Sequence, residues 1–172
     1  MSGIFDPSRA FQAMNAHGVR YVVIGGLASE FLGAAVGTND IDVCYERTTE
    51  NMKRLAAALD ELHAKLRVAH VDEDLPFILD HLTLAAGDSF TFESDAGDLD
   101  ILGTPSGTSG FRDLDADATA YDLGEGLIVR VVSLDDLIRM KEAAGRRKDE
   151  AHLHVLSDLR EALRAAERPS TD

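Results

Sequence analysis

Cys44 is the chain's single cysteine, so no intrachain disulfide can form, and a lone thiol of this kind is core filler before it is a nucleophile. Long apolar runs are missing too. Nothing approaches the run of about eighteen residues that a membrane span needs, and Met1-Ser2-Gly3-Ile4-Phe5-Asp6 lacks the basic flank and apolar stretch of a signal peptide. A cytoplasmic location is therefore expected. Zinc ligands do not gather: His152 and His154 sit two apart on an expected helix and face different ways, with no further His or Cys at ligand spacing nearby. Basic residues are scarce as well, with Lys and Arg numbering 17 against 31 Asp and Glu, for a formal net charge of −14. Between Val71 and Gly126 fourteen acids face one base, Arg112, whereas from Ser133 onward eight bases nearly balance nine acids. A surface of that sign repels nucleic acid, so a polynucleotide would have to approach through the C-terminal helices. The acids serve equally as a solubilising face or as a dock for a basic partner.

What is present fits one globular domain. The 172 residues are 45% hydrophobic, enough for a sizeable core, and divide into a core of about 19–132 and a helical part of about 133–168. Asp6-Pro7 opens a helix that Gly18 ends, and Val19 to Ile24 reads as a strand. A short helix follows from Leu27, then a loop bounded by Gly33 and Gly37, then a strand over Asp40 to Tyr45. Thr48 or Thr49 caps a helix carrying Met52, Leu55, Ala56, Leu59 and Leu62 at helical spacing. Lys65 to His70 is a candidate strand, and Pro76 to Leu84 fits either period. Ser89 to Glu93 and Leu99 to Leu102 read as strands around an Asp95-Ala96-Gly97 turn, Thr104 to Gly110 as a loop, and Leu127 to Val132 as a strand. Ser133 caps a helix through Ala144 that Gly145 breaks, a last helix carries Leu153, Leu156, Leu159 and Leu163, and Pro169 to Asp172 reads as disordered.

The chemistry concentrates in Gly25-Gly26, Asp40-Ile41-Asp42 and Asp98-Leu99-Asp100. Carboxylates at i and i+2 leave the same face of an extended strand, and a second acidic strand alongside completes a cage for a hard divalent ion. Two such ions about 3.5–4 Å apart steady the attacking and leaving oxygens of a phosphoryl displacement. The glycine pair follows the apolar Val22-Val23-Ile24 and precedes a short helix, a junction where backbone N–H groups can cradle polyphosphate and where a Cβ would intrude. Cys44 falls on the face of Asp40 and Asp42 if the strand runs that far.

Gly25-Gly26, Asp40-Ile41-Asp42-Val43 and Asp100-Ile101-Leu102 resemble the three motifs of the nucleotidyltransferase superfamily with the DNA polymerase β-like fold. The tail, Val132-Ser133-Leu134-Asp135-Asp136-Leu137-Ile138 with Met140-Lys141-Glu142-Ala143-Ala144-Gly145-Arg146 and Lys148-Asp149, resembles the closing segment of a bacterial subgroup. That subgroup holds stand-alone nucleotidyltransferases and the toxins of abortive-infection and related toxin–antitoxin systems. The resemblance spans about Val19 to Leu156 and departs at Ala34 to Asn39, where the subgroup usually carries an arginine.

The resemblance implies an α+β fold, a mixed central sheet with flanking and C-terminal helices. It implies Mg²⁺ or Mn²⁺ on Asp40, Asp42 and Asp100, with Asp100 preferred to Asp98 because Ile101-Leu102 completes the motif. Gly25, Gly26, Thr38, Arg146 and Asp149 would bind nucleotide, and Lys141 would meet the leaving pyrophosphate. Lys141 is expected to be exposed, and Lys148 to face solvent about two turns along the helix. The implied reaction moves a nucleoside monophosphate from an NTP to an acceptor hydroxyl, on a tRNA 3′ end for a toxin or orphan enzyme or on a protein side chain for an antitoxin. A cognate toxin or antitoxin partner follows from either. A fold that has lost its chemistry and acts as a binding module is the alternative.

Overall fold

Helices here begin where a side chain can satisfy the backbone N–H groups that a helix start leaves open. The computed structural model describes residues 3–67 and 78–169. Asp6 accepts from the Arg9 N–H ahead of α1 (Pro7–Ala16), which buries Ala10, Phe11 and Met14. The wholly buried strand β1 (Tyr21–Ile24) runs straight into α2 (Gly25–Phe31), so the glycine pair is the helix's first turn and not a loop ahead of it. β2 (Asp40–Tyr45) follows, and Thr48 caps α3 (Thr49–Glu61) by accepting from Asn51 N.

β3 (Lys65–Leu66) is the described part of the expected Lys65 to His70 strand; residues 68–70 lie outside the described residues. The segment of ambiguous period is helical where described, as α4 (His81–Ala86) behind the Asp80 cap, with Pro76 and Phe77 outside. β4 (Ser89–Ser94) and β5 (Gly97–Leu102) form a hairpin. Two elements without an expectation come next, α5 (Phe111–Ala116) and β6 (Thr119–Asp122), before β7 (Ile128–Val131). Ser133 accepts from Asp136 N to open α6 (Leu134–Ala144), and Gly145 closes it in the left-handed conformation at φ 60°. A single 3₁₀ turn (Arg147–Asp149) leads into α7 (Glu150–Ala166). The leucine stripe of α7 meets the domain only in part: Leu156 is buried, Leu153 and Leu159 partly so, and Leu163 is 49% exposed. Of the tail expected to be disordered, residues 170–172 lie outside the described residues.

Among the described residues the strands form one mixed sheet in the order β3-β4-β5-β2-β1-β7-β6, with β2 and β5 parallel, β1 and β7 parallel, and the other pairs antiparallel. The expected α+β architecture is observed. α1, α3 and α4 pack in one group, and α2 with α6 and α7 in another. The apolar residues of β2, Ile41, Val43 and Tyr45, are fully buried, so the strand's other face is left to its acids and Cys44.

The acidic stretch proves to be less open than its composition suggests. Asp88 meets Arg47, Asp95 meets Arg9, Asp98 meets Arg67, Asp113 meets Arg139 and Asp115 meets Arg130. Five acids clustered in sequence are thus spread in space, each against an arginine from elsewhere in the chain.

Candidate active site

Sheet register builds the site. Parallel pairing sets Asp42 beside Asp100 and Asp40 beside Asp98, while antiparallel pairing sets Asp42 beside Ile24, where β1 turns into α2. Gly25 takes φ +68° at that point, and a Cβ on it would lie 2.3 Å from Asp42 Oδ2. This glycine therefore clears space for a carboxylate. Gly26 does something else: its missing Cβ would lie 2.6 Å from Thr38 Cβ, so the helix start rests on the Thr38 side chain. Packing against Thr38 therefore constrains Gly26 in its own right. Thr38 Oγ1 in turn accepts from Asp40 N at 3.3 Å, bracing the first acid of the strand.

These groups line a cleft of about 1120 Å³ that contains Gly25, Gly26, Thr38, Asp40, Asp42, Asp100, Lys141, Arg146 and Asp149. Asp98 is not in its wall, and its Oδ2 accepts from Arg67 Nη1 at 2.8 Å. Burial, then the charge and hydrogen bond of Asp100, then the charge of Asp40 push the Asp42 carboxyl up to about 7, against a smaller opposing pull from Lys141. Asp42 and Asp100 thus crowd each other on neighbouring strands. Asp100 Oδ1 is buried without a hydrogen-bond partner.

Two crowded carboxyls and an orphaned buried oxygen suit a hard divalent cation, which would take up the repulsion and the empty lone pair together. Asp40 stands exposed at the mouth, and among the described residues no three His, Cys, Asp or Glu side chains are drawn together as a complete ligand set. The donors therefore fit a cation that also draws on phosphate and water oxygens, the usual habit of Mg²⁺.

The far wall is cationic, and here the expectations need correction. Lys141 is only 8% exposed, not a surface lysine, and its Nζ lies 3.3 Å from Asp149 Oδ1. Asp149 is itself buried and takes Arg146 Nε on Oδ2 at 2.8 Å, so it orients both cations across the Gly145 break. Arg146 and Lys141 hold the Asp149 carboxyl below the usual range against the opposing effect of its burial. Lys148 is exposed, as expected, and it also borders the cleft from the 3₁₀ turn that follows Gly145. It has no ion pair among the described residues.

Other cleft residues were given no place at the site from the sequence: Glu30, one turn beyond Gly26, His152, one turn beyond Asp149 and weighed only as a zinc ligand, and Thr91, whose register partner is Asp100. Spacing from the motifs could have flagged the first two; only the β4–β5 pairing reveals Thr91. The loop residues Pro105 and Ser106 add a wall, held by Arg139, which donates to Gly107 O at 2.9 Å and binds both oxygens of Asp113. Cys44 is buried, its thiol pushed up to about 12, chiefly by that burial, and directed at Gly103 O, as core filler should be.

No protein-family model and no curated protein matches the sequence. Solved structures do share its fold. A Thermotoga maritima protein described as a candidate nucleotidyltransferase superposes with a TM-score of 0.53 at 17% identity, over 84% of this chain and 86% of its own. ANT(2″)-Ia in complex with adenylyl-2″-tobramycin superposes with a TM-score of 0.53 at 16% identity, over 93% and 95% of the two chains. At such identities the likeness establishes the fold, which is the nucleotidyltransferase fold that the motifs led us to expect.

Proposed function

We propose that this protein is a nucleotidyltransferase that moves a nucleoside monophosphate from an NTP to an acceptor hydroxyl and releases pyrophosphate. The observation that carries the reading is the Asp42–Asp100 pair, crowded and short of one partner, at the floor of a cleft whose opposite wall carries Lys141. Asp42 and Asp100, with Asp40 at the mouth, would hold Mg²⁺ or Mn²⁺. Such an ion, when bound, supplies Lewis acidity to the phosphate being attacked.

The chain's own groups have distinct tasks in this scheme. Asp100 accepts the proton of the acceptor hydroxyl. The α2 start at Gly25-Gly26 offers N–H groups to the polyphosphate, and the charge of Lys141, aimed by Asp149, meets the pyrophosphate as negative charge builds on it. Arg146 and Lys148 extend that positive wall toward solvent and offset the arginine missing before Thr38.

Each α-labelled NTP, incubated with the protein and Mg²⁺ in the presence of total RNA, lysate protein or a small hydroxyl compound, tests the reading. Label should move to one acceptor class, and Asp42→Asn and Asp100→Asn should each abolish the transfer. Absence of NTP binding, or transfer that survives both substitutions, would overturn it. The Lys141 to Asp149 segment also supports a more specific role, the toxin or orphan enzyme of a bacterial toxin–antitoxin type system acting on a tRNA 3′ end in the cytoplasm. Label on RNA decides for that role, and label on a protein decides for an antitoxin acting on its partner. The solved relative that holds adenylyl-2″-tobramycin makes a small molecule the third acceptor class to assay.

A further inference from the structure

Four strands set their contributions to the cleft in one line across the sheet. Ile24, at the turn into the glycine pair, is the register partner of Asp42, Asp42 of Asp100, and Asp100 of Thr91. Paired residues on neighbouring strands present their side chains to the same face, so Thr91 shares the face of both acids. Three strand-to-strand steps of about 4.8 Å set it roughly 14 Å from the glycine turn.

That order has a chemical direction. In a phosphoryl displacement the attacking and leaving oxygens lie on opposite sides of phosphorus. With pyrophosphate at the Gly25-Gly26 end and the α-phosphorus over Asp42 and Asp100, the attacking oxygen stands past Asp100, where Thr91 is the next side chain. Thr91 is partly exposed and lines the cleft, and its hydroxyl has no hydrogen-bond partner among the described residues. Nor does it serve its neighbour in the ladder, because Asp100 Oδ1 is buried without a partner. Two hydrogen-bonding groups side by side and unjoined leave a place for an oxygen between them. Ser89 lies two residues away on the same face, but its register partner is Leu102, and its hydroxyl donates to Asp88 Oδ2 at 3.2 Å. Thr91 is thus the β4 hydroxyl that stands in line with the reacting acids.

We propose that Thr91 is the acceptor-positioning residue of this site: its hydroxyl donates to the acceptor's attacking oxygen while that oxygen's own proton passes to Asp100. The proposal rests on the nucleotidyl-transfer reading above and adds the residue that seats the acceptor. The acceptor oxygen bonds to the α-phosphorus. The bond from that phosphorus to the bridging oxygen breaks, and its electron pair leaves with pyrophosphate.

Total RNA, lysate protein and glycerol are each offered with the four α-labelled NTPs and Mg²⁺, and initial labelling at limiting acceptor is compared for the parent, Thr91→Val and Thr91→Ser. Valine keeps the branched shape and strand preference of threonine without the hydroxyl, and serine keeps the hydroxyl. Thr91→Val should lower kcat/KM for the acceptor by roughly tenfold, the scale of one hydrogen bond, with the KM for NTP and the melting temperature unchanged. Thr91→Ser should stay near the parent. A second arm needs no acceptor. Cys44 is the chain's single cysteine and is fully buried, so Thr91→Cys supplies one accessible thiol for iodoacetamide. Saturating α,β-methylene NTP with Mg²⁺ should leave its alkylation rate unchanged, and the alkylated protein should bind the analogue as the parent does but transfer no label. A Thr91→Val rate equal to the parent's, a Thr91→Ser rate as low as that of Thr91→Val, a raised KM for NTP, or shielding of the Thr91→Cys thiol by the analogue would each overturn the proposal. A parent protein that binds no NTP, or binds it and labels none of the three acceptors, instead removes the nucleotidyl-transfer reading itself.

Discussion

Replacing Lys141 probes stability and catalysis at the same atom. The ammonium lies 3.3 Å from Asp149 Oδ1, and both side chains are nearly enclosed, at 10% and 6% exposure. Lys141→Met keeps most of the aliphatic stem and deletes the charge, leaving Asp149 buried with Arg146 as its remaining partner. Breaking a buried pair by removing one member costs about 3–5 kcal/mol, and the surviving Arg146 contact, on a half-exposed side chain, puts the expected loss near the bottom of that range, about 3 kcal/mol. For a domain of this size that corresponds to a Tm roughly 6–12 °C lower in a thermal melt. Turnover should fall by roughly 10²–10³, the scale for losing one preorganised electrostatic partner of a transition state. A second variant separates the two effects: Lys141→Met with Asp149→Asn removes both charges and should recover most of the melting temperature while turnover stays low. If the double variant regains turnover along with stability, Lys141 has only a structural role. If Lys141→Met melts with the parent protein, the buried ion pair described above is not formed.

Three further expectations follow from the same geometry. Asp42 carries a folded-state pKa raised from 3.8 to about 7, so the proton it holds stabilises the metal-free fold fully below about pH 4, and this is lost as pH rises through about 7. Melting of chelator-treated protein should therefore fall over that window, Asp42→Asn should flatten the fall, and added Mg²⁺ should raise Tm more at pH 8 than at pH 6; a pH-independent melt would show that the carboxyls are not crowded. Gly26→Ala should destabilise by about 1–3 kcal/mol through its collision with the Thr38 Cβ, and Thr38→Gly, which removes that atom, should cost less in the Gly26→Ala chain than in the parent in a denaturation cycle, whereas additive losses would mean that the two do not touch. Lys148→Ala should raise the KM for NTP by about fivefold with an unchanged melt, and a KM equal to that of the parent would return this residue to the solvent.

How far the sequence alone reaches depends on the range of the interaction that fixes each feature. α3 and α6 are legible because their signals are local: Thr48 and Ser133 cap them, apolar residues recur at helical spacing, and Gly145 ends α6 with a positive φ. α5 is hidden for the opposite reason, being six residues long, capped by no side chain and contributing only Phe111 and Leu114 to the core among flanking acids. β6 exposes most of its residues, so no alternation marks it. The motif acids were legible as types, yet the choice between Asp98 and Asp100 rested on resemblance, and its physical reason, the pull of Arg67 on Asp98, needs the folded sheet. Lys148 is exposed as expected, but its place at the edge of the cleft was not legible, because counting turns from Lys141 assumes one continuous helix and the helix breaks at Gly145. The burial of Lys141 was equally out of reach, since it depends on Asp149, which the same break brings back beneath it.

The parallel pairing of β2 with β5 separates the spacing of the reactive groups from the length of chain between them. Asp42 and Asp100 are neighbours through one step of a hydrogen-bond ladder, whatever path residues 46–96 take to return. The intervening loops could be lengthened, trimmed or opened to new chain ends without altering the distance between the two carboxyls, provided the strands still zip in register. A slip of one residue in that ladder would have the opposite effect, turning one acid into the apolar layer beneath the sheet. The fold thus tolerates remodelling around the cleft while its floor behaves as a gauge block.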